Sequence, residues 1–150
     1  MSDEEIKIHR GLNNVYFDRT KTTYINGKEG ILEYRGYNIH DLAEKSSFEE
    51  VSYLLLYGKL PTKNELDAFN SSLKESREIP SQVIDIIKSI KDSHPMDVLR
   101  TAVSALSAFD EEASDKSYDA TMRKGIRLTS QVPTIVCLLY TSDAADEYSG

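Results

Sequence analysis

Three residues near the middle of the chain have types and spacing that could bind an anion. His94, Asp97 and Arg100 follow one another at intervals of three, so a helix would bring their side chains onto one face. A helix N-terminus, an imidazole and a guanidinium together could bind a carboxylate. The same residues could instead form a partly buried cluster that caps the helix and fixes its start. We favour this structural interpretation of the three residues.

The other two histidines give weaker indications of chemistry. His9 lies in the polar start of the chain, and we expect it to have no role. His40 lies beside Asp41 in the first turn of a predicted helix, where a local surface role is the better interpretation.

An acidic segment, residues 110–119, raises the question of calcium. Asp110, Glu111, Glu112 and Asp115 supply carboxylates, but the central glycine and the terminal glutamate of an EF-hand loop are missing. We therefore predict a solvated acidic loop. No phosphate-binding glycine loop, C-x-x-C, H-E-x-x-H or G-x-S-x-G motif occurs in the chain. The sequence thus names no catalytic, cofactor-binding or metal-binding residue.

Composition excludes several classes of protein. The 150 residues carry a net charge of −7, which disfavours contact with nucleic acid. The apolar runs are too short to span a membrane. The acidic start M-S-D-E-E is unlike a targeting signal, and the single cysteine, Cys137, suits a reducing compartment. We therefore expect one cytoplasmic domain without membrane or nucleic-acid partners.

The elements that would position these residues are mainly helical. A short β-hairpin comes first, with strands at residues 22–25 and 31–35, a two-residue turn at Asn26-Gly27, and Gly36 ending the second strand. Asn38 is the predicted cap of a short helix.

Capping signals mark the helices that follow. Ser47 to Glu50 and Thr62 to Glu65 have the spacing of capping boxes, and Gly58 has the position of a C-cap. Pro80 and Pro95 suit the starts of two further helices. The helix over residues 51–57 is apolar nearly all round, and so is the one over 98–109, which is the candidate core helix. A last helix begins near Tyr118 or Asp119 and runs through Ile135, with Pro133 as a candidate kink.

Three sequence blocks together resemble one known family. They read E-Y-R-G-Y-N-I-H-D-L-A at residues 33–43, F-E-E-V-S-Y-L-L-L-Y-G-K-L-P at 48–61 and H-P-M-D-V-L-R-T-A-V-S at 94–104. In this order and at these distances they are similar to the N-terminal region of citrate synthase, in its prokaryotic, archaeal-like form. The resemblance implies a mainly α fold, namely the N-terminal part of that family's large helical domain preceded by a short β-hairpin.

The resemblance also implies an activity. Members of the family are homodimers that condense oxaloacetate with acetyl-CoA and hydrolyse the thioester to give citrate and CoA, without a cofactor. Their catalytic histidines and aspartate lie further along the chain, and His9, His40 and His94 do not match them. No catalytic residue is carried over, so we expect the chain as written to be inactive, marginally stable and prone to association.

The C-terminal tail resembles something else. From Cys137 to Glu147 it reads C-L-L-Y-T-S-D-A-A-D-E, which is similar to the translation of a transposon-based DNA-sequencing adapter. We therefore predict a flexible N-terminus at residues 1–10, a truncated N-terminal portion of the citrate synthase large domain at 11–136, and a non-native tail at 137–150 that interrupts the last helix.

Two alternatives stay open at the level of sequence. The related 2-methylcitrate synthases, which use propionyl-CoA, share these N-terminal patterns, and one methylene of acyl discrimination is worth only ~1–3 kcal/mol. The chain could also be a free-standing helical interaction module, with its apolar helix faces forming a groove for a partner helix.

Overall fold

A computed structural model of the chain describes residues 11, 15 and 18–147, with side chains to residue 141. Residues 1–10, 12–14, 16–17 and 148–150 lie outside the described residues. The expectations made for His9 and for the N-terminus at 1–10 fall there. The described part holds three strands and six helices. The strands are β1 (Thr23–Asn26), β2 (Ile31–Tyr34) and β3 (Tyr37–Asn38). The helices are α1 (Ile39–Lys45), α2 (Phe48–Tyr57), α3 (Lys63–Glu75), α4 (Ser81–Ser89), α5 (Pro95–Leu106) and α6 (Tyr118–Glu147).

The first hairpin has a longer turn than the sequence predicts. β1 and β2 pair antiparallel with Asn26 opposite Ile31, so residues 27–30 form a four-residue loop and the predicted two-residue turn at Asn26-Gly27 is wrong. Asn26 is the reason, because its side-chain oxygen accepts the backbone N–H groups of Lys28 and Glu29 at 3.2 and 3.3 Å. That local turn keeps Asn26 at the end of the strand and widens the loop.

The two-residue turn lies at Arg35-Gly36 instead. Tyr34 pairs with Tyr37, and the turn residues have φ of 51° and 86°, the left-handed values of the hairpin turn that suits strand twist. Gly36 thus ends the second strand, as expected, but the chain then forms a third strand, β3, that was not predicted. Arg35 also donates a hydrogen bond from Nη2 to the carbonyl of Leu55 at 2.9 Å, which ties the sheet to α2.

The predicted helix caps are confirmed. Asn38 accepts the N–H of His40, and both capping boxes are complete, from Ser47 and from Thr62. Gly58 ends α2 in the left-handed conformation with φ of 80°. Each capping residue forms its hydrogen bond with a residue at most four positions away. Local chain geometry is therefore enough to form these caps.

Two apolar clusters hold the helices together. The larger lies between α4, α5 and α6, and its buried members are Ile79, Val83, Ile87, Val98, Ala102, Leu106, Ile135 and Leu139. The smaller joins α2 to α3 through aromatic contacts, with Tyr53 edge-on to Phe69 at a centroid distance of 5.4 Å. The larger cluster fixes α5 and α6 side by side.

The two helices that are apolar nearly all round, α2 and α5, are each buried along one stripe. On α5 the buried residues are Val98, Ala102 and Leu106, while Phe109, in the short 3-10 turn that follows, is 43% exposed. On α2 only Tyr53 and Leu54 are buried. α5 is a core helix, as predicted, because its three buried residues belong to the larger cluster. Neighbouring elements cover just one face of each helix, so neither helix is buried all round.

The last helix is longer than expected. α6 runs without interruption from Tyr118 to Glu147, so the predicted break at Cys137 is wrong. Residues 137–147 contain no glycine or proline that would end a helix, and Leu139 follows Ile135 at helical spacing and is 5% exposed. Pro133 lies inside this helix. The origin of the tail stays a prediction.

Candidate functional site

The start of α5 has the helix cap that the structural interpretation predicts, but His94, Asp97 and Arg100 are all exposed, so the expectation of a partly buried cluster is wrong. His94 caps the helix, with Nδ1 accepting the N–H of Met96 at 3.2 Å, and Pro95 occupies the first turn. Arg100 donates to Asp97 at 2.9 Å, with 78% of the Arg100 side chain exposed. The imidazole therefore contacts backbone and the guanidinium contacts a carboxylate, so the two do not converge on an anion.

The surroundings of His40 are those of a helix surface. His40 is exposed in the first turn of α1, and its N–H donates to Asn38 Oδ1 at 2.9 Å. Its neighbour Asp41 pairs with Lys45 at 2.6 Å, and that hydrogen bond lowers the pKa of the Asp41 carboxyl. This carboxylate is therefore engaged with a lysine rather than with the imidazole.

The acidic loop, which we define as residues 110–117, is the most highly charged cluster that the structure brings together. Arg127 donates from Nη2 to both oxygens of Asp110 at 2.8 Å and from Nη1 to Glu112 at 2.8 Å. Arg123 donates from Nε to the same Glu112 at 2.9 Å. The side chains of Asp110 and Glu112 are only 24% and 29% exposed. The prediction of a solvated loop is thus wrong for these two carboxylates.

The arginines change the acid strength of both carboxyls. The hydrogen bond from Arg127 holds the pKa of Asp110 below its ordinary value, despite the opposing effect of burial. The hydrogen bonds from Arg123 and then Arg127 lower the pKa of Glu112 to about 2. Such weak bases stay ionised at neutral pH and accept protons poorly, so this cluster is built for holding chain segments rather than for acid–base catalysis.

A cleft of about 510 Å³ lies beside the ion pairs. The acidic loop forms one wall, α6 another, and the end of α5 the floor, with Val103, Leu106, Phe109 and Leu128 as apolar lining. Within residues 18–141 no group of three metal-ligating side chains could hold a metal ion. The described helices also include none with the length and hydropathy needed to cross a membrane.

The sequence interpretation missed the basic half of this cluster. Arg123 and Arg127 are four residues apart, so they lie on one face of α6. That spacing, a short distance after an acidic segment, is the available signal for the cluster. It could indicate an ion-pair partner for the loop but not which carboxylates would be engaged.

The chain matches known proteins along most of its length. A family model described as "Citrate synthase, C-terminal domain" matches residues 11–148. A citrate synthase of Deinococcus radiodurans is 45% identical over 133 residues, which cover 88% of this chain and 35% of that protein. The 2-methylcitrate synthase 1 of Corynebacterium glutamicum is 40% identical over 139 residues, or 92% of this chain and 36% of that protein. The crystal structure of citrate synthase from Pyrobaculum aerophilum has a TM-score of 0.83 at 38% identity, covering 89% of this chain and 36% of that one.

The chain agrees with these proteins both in sequence and in backbone structure. It therefore falls in their class of protein, transferases with an almost wholly helical fold. The chain belongs to the citrate synthase family. The resemblance of the three sequence blocks and the mainly α fold class are thereby confirmed. The chain spans about a third of the length of the curated relatives it matches.

Proposed function

We propose that this chain supplies part of the helical scaffold of an enzyme that condenses oxaloacetate with acetyl-CoA to give citrate and CoA. The observation that carries the proposal is the backbone agreement with the Pyrobaculum aerophilum citrate synthase, at a TM-score of 0.83 over 89% of the chain. A helical frame so closely preserved at 38% identity would hold the walls of the same substrate cleft. The substrates bind without a cofactor in this proposal.

The chain's own residues would act in this enzyme as support. The methyl group of a thioester is a weak carbon acid, so a base must work together with a group that stabilises the enolate. His94 is engaged in a helix cap, and Asp110 and Glu112 are engaged with arginines. We therefore place the proton-transferring groups in other parts of the whole enzyme and expect the 150-residue chain alone to be inactive.

The boundaries of the scaffold are part of the proposal. We propose an N-terminal portion of the large domain at residues 11–136 and a non-native tail at 137–150. Sequencing the source gene on both sides of the codon for Val136 tests this arrangement. A reading frame that continues past Val136 with histidine- and glycine-containing motifs supports it. A native stop codon after Gly150, or a long open frame upstream of Met1, contradicts it.

The acyl donor is the second point to test. The 40% identity to a 2-methylcitrate synthase favours propionyl-CoA as an alternative substrate. Steady-state assays of the whole enzyme with both thioesters would decide, since we expect a higher kcat/KM for acetyl-CoA. A preference for propionyl-CoA would favour the alternative. No observation favours a free-standing interaction module over these two enzymes.

Assembly and location complete the proposal. We expect the whole enzyme to be a cytoplasmic homodimer, as the resemblance to citrate synthase implies. Sedimentation of the whole enzyme gives its oligomeric state, and a monomeric active species would contradict this part.

A further inference from the structure

The acidic loop is attached to α6 mainly by charged side chains. Arg127 is the centre of the attachment, because it bonds the two oxygens of Asp110 and one oxygen of Glu112 at the same time. Arg127 is 29% exposed, so water only partly screens these contacts. A planar guanidinium that binds two carboxylates restricts both of them in distance and in orientation.

Two further side chains of α6 extend the attachment along the loop. Arg123 bonds Glu112 as a second cation, and Lys124 donates from Nζ to the backbone carbonyls of Ala113 and Asp115. Three basic side chains of one helix thus contact a loop of eight residues. α5 and the start of α4 also line this cleft. They contribute Pro80, Val103, Leu106 and Ser107, none of which has a titratable side chain.

Apolar packing adds little to this attachment. Within the loop Glu111, Ala113 and residues 114–117 are exposed. Phe109, just before the loop, and Leu128, which faces the cleft from α6, are 43% and 41% exposed. The loop therefore lacks a buried apolar anchor that would keep it in place if the ion pairs were lost.

We propose that the acidic loop is a strap, fastened to α6 by Arg127 and its neighbours, that closes one side of the cleft between α5 and α6. With the ion pairs formed, the loop lies against α6 and the cleft stays narrow. When they break, the loop lifts from α6, and Leu106, Phe109 and Leu128 become accessible from that side. Because salt weakens the ion pairs that hold the loop against α6, the population of the open form increases with ionic strength.

Hydrogen exchange of the loop amides in the full 150-residue chain tests the strap. The N–H groups of Glu112, Ala113, Asp115 and Ser117 are hydrogen-bonded within the loop, so their exchange reports its opening. Arg127→Gln removes the guanidinium that bonds Asp110 and Glu112. It should speed hydrogen exchange in the peptide 110–117 by about tenfold or more, because hydrogen bonds to charged groups are strong. Arg127→Lys keeps the positive charge but lacks the planar guanidinium. Its loop exchange rate should therefore lie between those of Arg127→Gln and the unaltered chain.

Arg100→Gln is the matched control, because it removes an exposed arginine that pairs with one carboxylate on α5. We expect it to leave loop exchange unchanged. If Arg127→Gln unfolds the chain, the unaltered chain still tests the proposal, since exchange in 110–117 should rise with sodium chloride concentration while that of α3 does not. Equal loop exchange in Arg127→Gln and the unaltered chain, or no dependence on salt, would overturn the strap.

Discussion

Two arginines connect parts of this chain that lie far apart in sequence. Arg35 extends from a hairpin turn to the carbonyl of Leu55 near the end of α2. Arg127 extends from α6 to the acidic loop. In both cases a guanidinium joins a loop to a helix, and that of Arg127 bonds three carboxylate oxygens at once because its donors lie in a fixed plane. In the described residues the strongest charged contacts are therefore structural ones.

The ion pairs of the acidic loop make stability depend on pH in a specific direction. Glu112 has a pKa of about 2 in the folded chain, against an ordinary value of 4.5. Its contribution to folding stability is therefore fully present above pH 4.5 and is lost as the pH falls toward 2. The other carboxylates near Glu112 are Asp110, Glu111, Asp115 and Asp119. The basic groups of α6 keep their positive charge over this pH range. The melting temperature of Glu112→Gln should lie below that of the unaltered chain above about pH 5, and the gap should narrow toward pH 3.

Asp97→Asn provides the comparison for that titration. Its ion pair with Arg100 is exposed, and exposed pairs contribute little to stability. We expect its melting temperature to follow that of the unaltered chain at every pH. A gap for Glu112→Gln that stays constant from pH 7 to pH 3 would contradict the assignment of the shift to ion pairing.

At the scale of elements, short-range signals were the predictable ones. The capping boxes at Ser47 and Thr62 depend on residues three positions apart, and both are present as predicted. The hairpin turn depends on the register between two strands, which Asn26 shifts through contacts with its own loop. For the same reason the pairing of Asp110 with Arg127, 17 residues apart, could not be read from local spacing.

The end of α2 offers a test of one such local signal. Gly58 has φ of 80°, where a side chain strains the backbone, and an added Cβ would meet the Arg35 guanidinium only at an ordinary distance of 3.9 Å. Gly58→Ala should therefore lower the free energy of unfolding by about 1 kcal/mol through backbone strain alone. Urea unfolding followed by circular dichroism measures the change. Gly27→Ala, with open space around the Cβ and no positive φ, should change it by less than about 0.5 kcal/mol.

At the scale of the whole molecule, the described surface exposes large apolar side chains. Ile25 is 70% exposed, Phe48 64% and Tyr140 63%. Exposed apolar area of this kind favours association with another surface. In the proposed scaffold, the stripes left uncovered on α2 and α5 would pack against other parts of the enzyme.

We therefore expect the isolated chain to associate in solution. Sedimentation velocity should show larger species at higher concentration, and the double variant Ile25→Thr with Phe48→Ser should shift the distribution toward monomer, because it removes two exposed apolar side chains. Lys28→Ala, a change on the same hairpin that removes no apolar surface, should leave the distribution unaltered. A monomer that melts sharply at all concentrations would contradict this expectation.

The proposal that this chain is a citrate synthase scaffold is tested most directly by a graft. Residues 11–136 would replace the matching segment of the Deinococcus radiodurans citrate synthase, to which the chain is 45% identical. The folded chimera should form citrate from oxaloacetate and acetyl-CoA within about a hundredfold of the parent rate, since a misplacement of about 1 Å can cost that much. The 150-residue chain alone should form none. A chimera that folds with the parent's helix content yet gives no citrate, or turnover by the chain alone, would contradict the account.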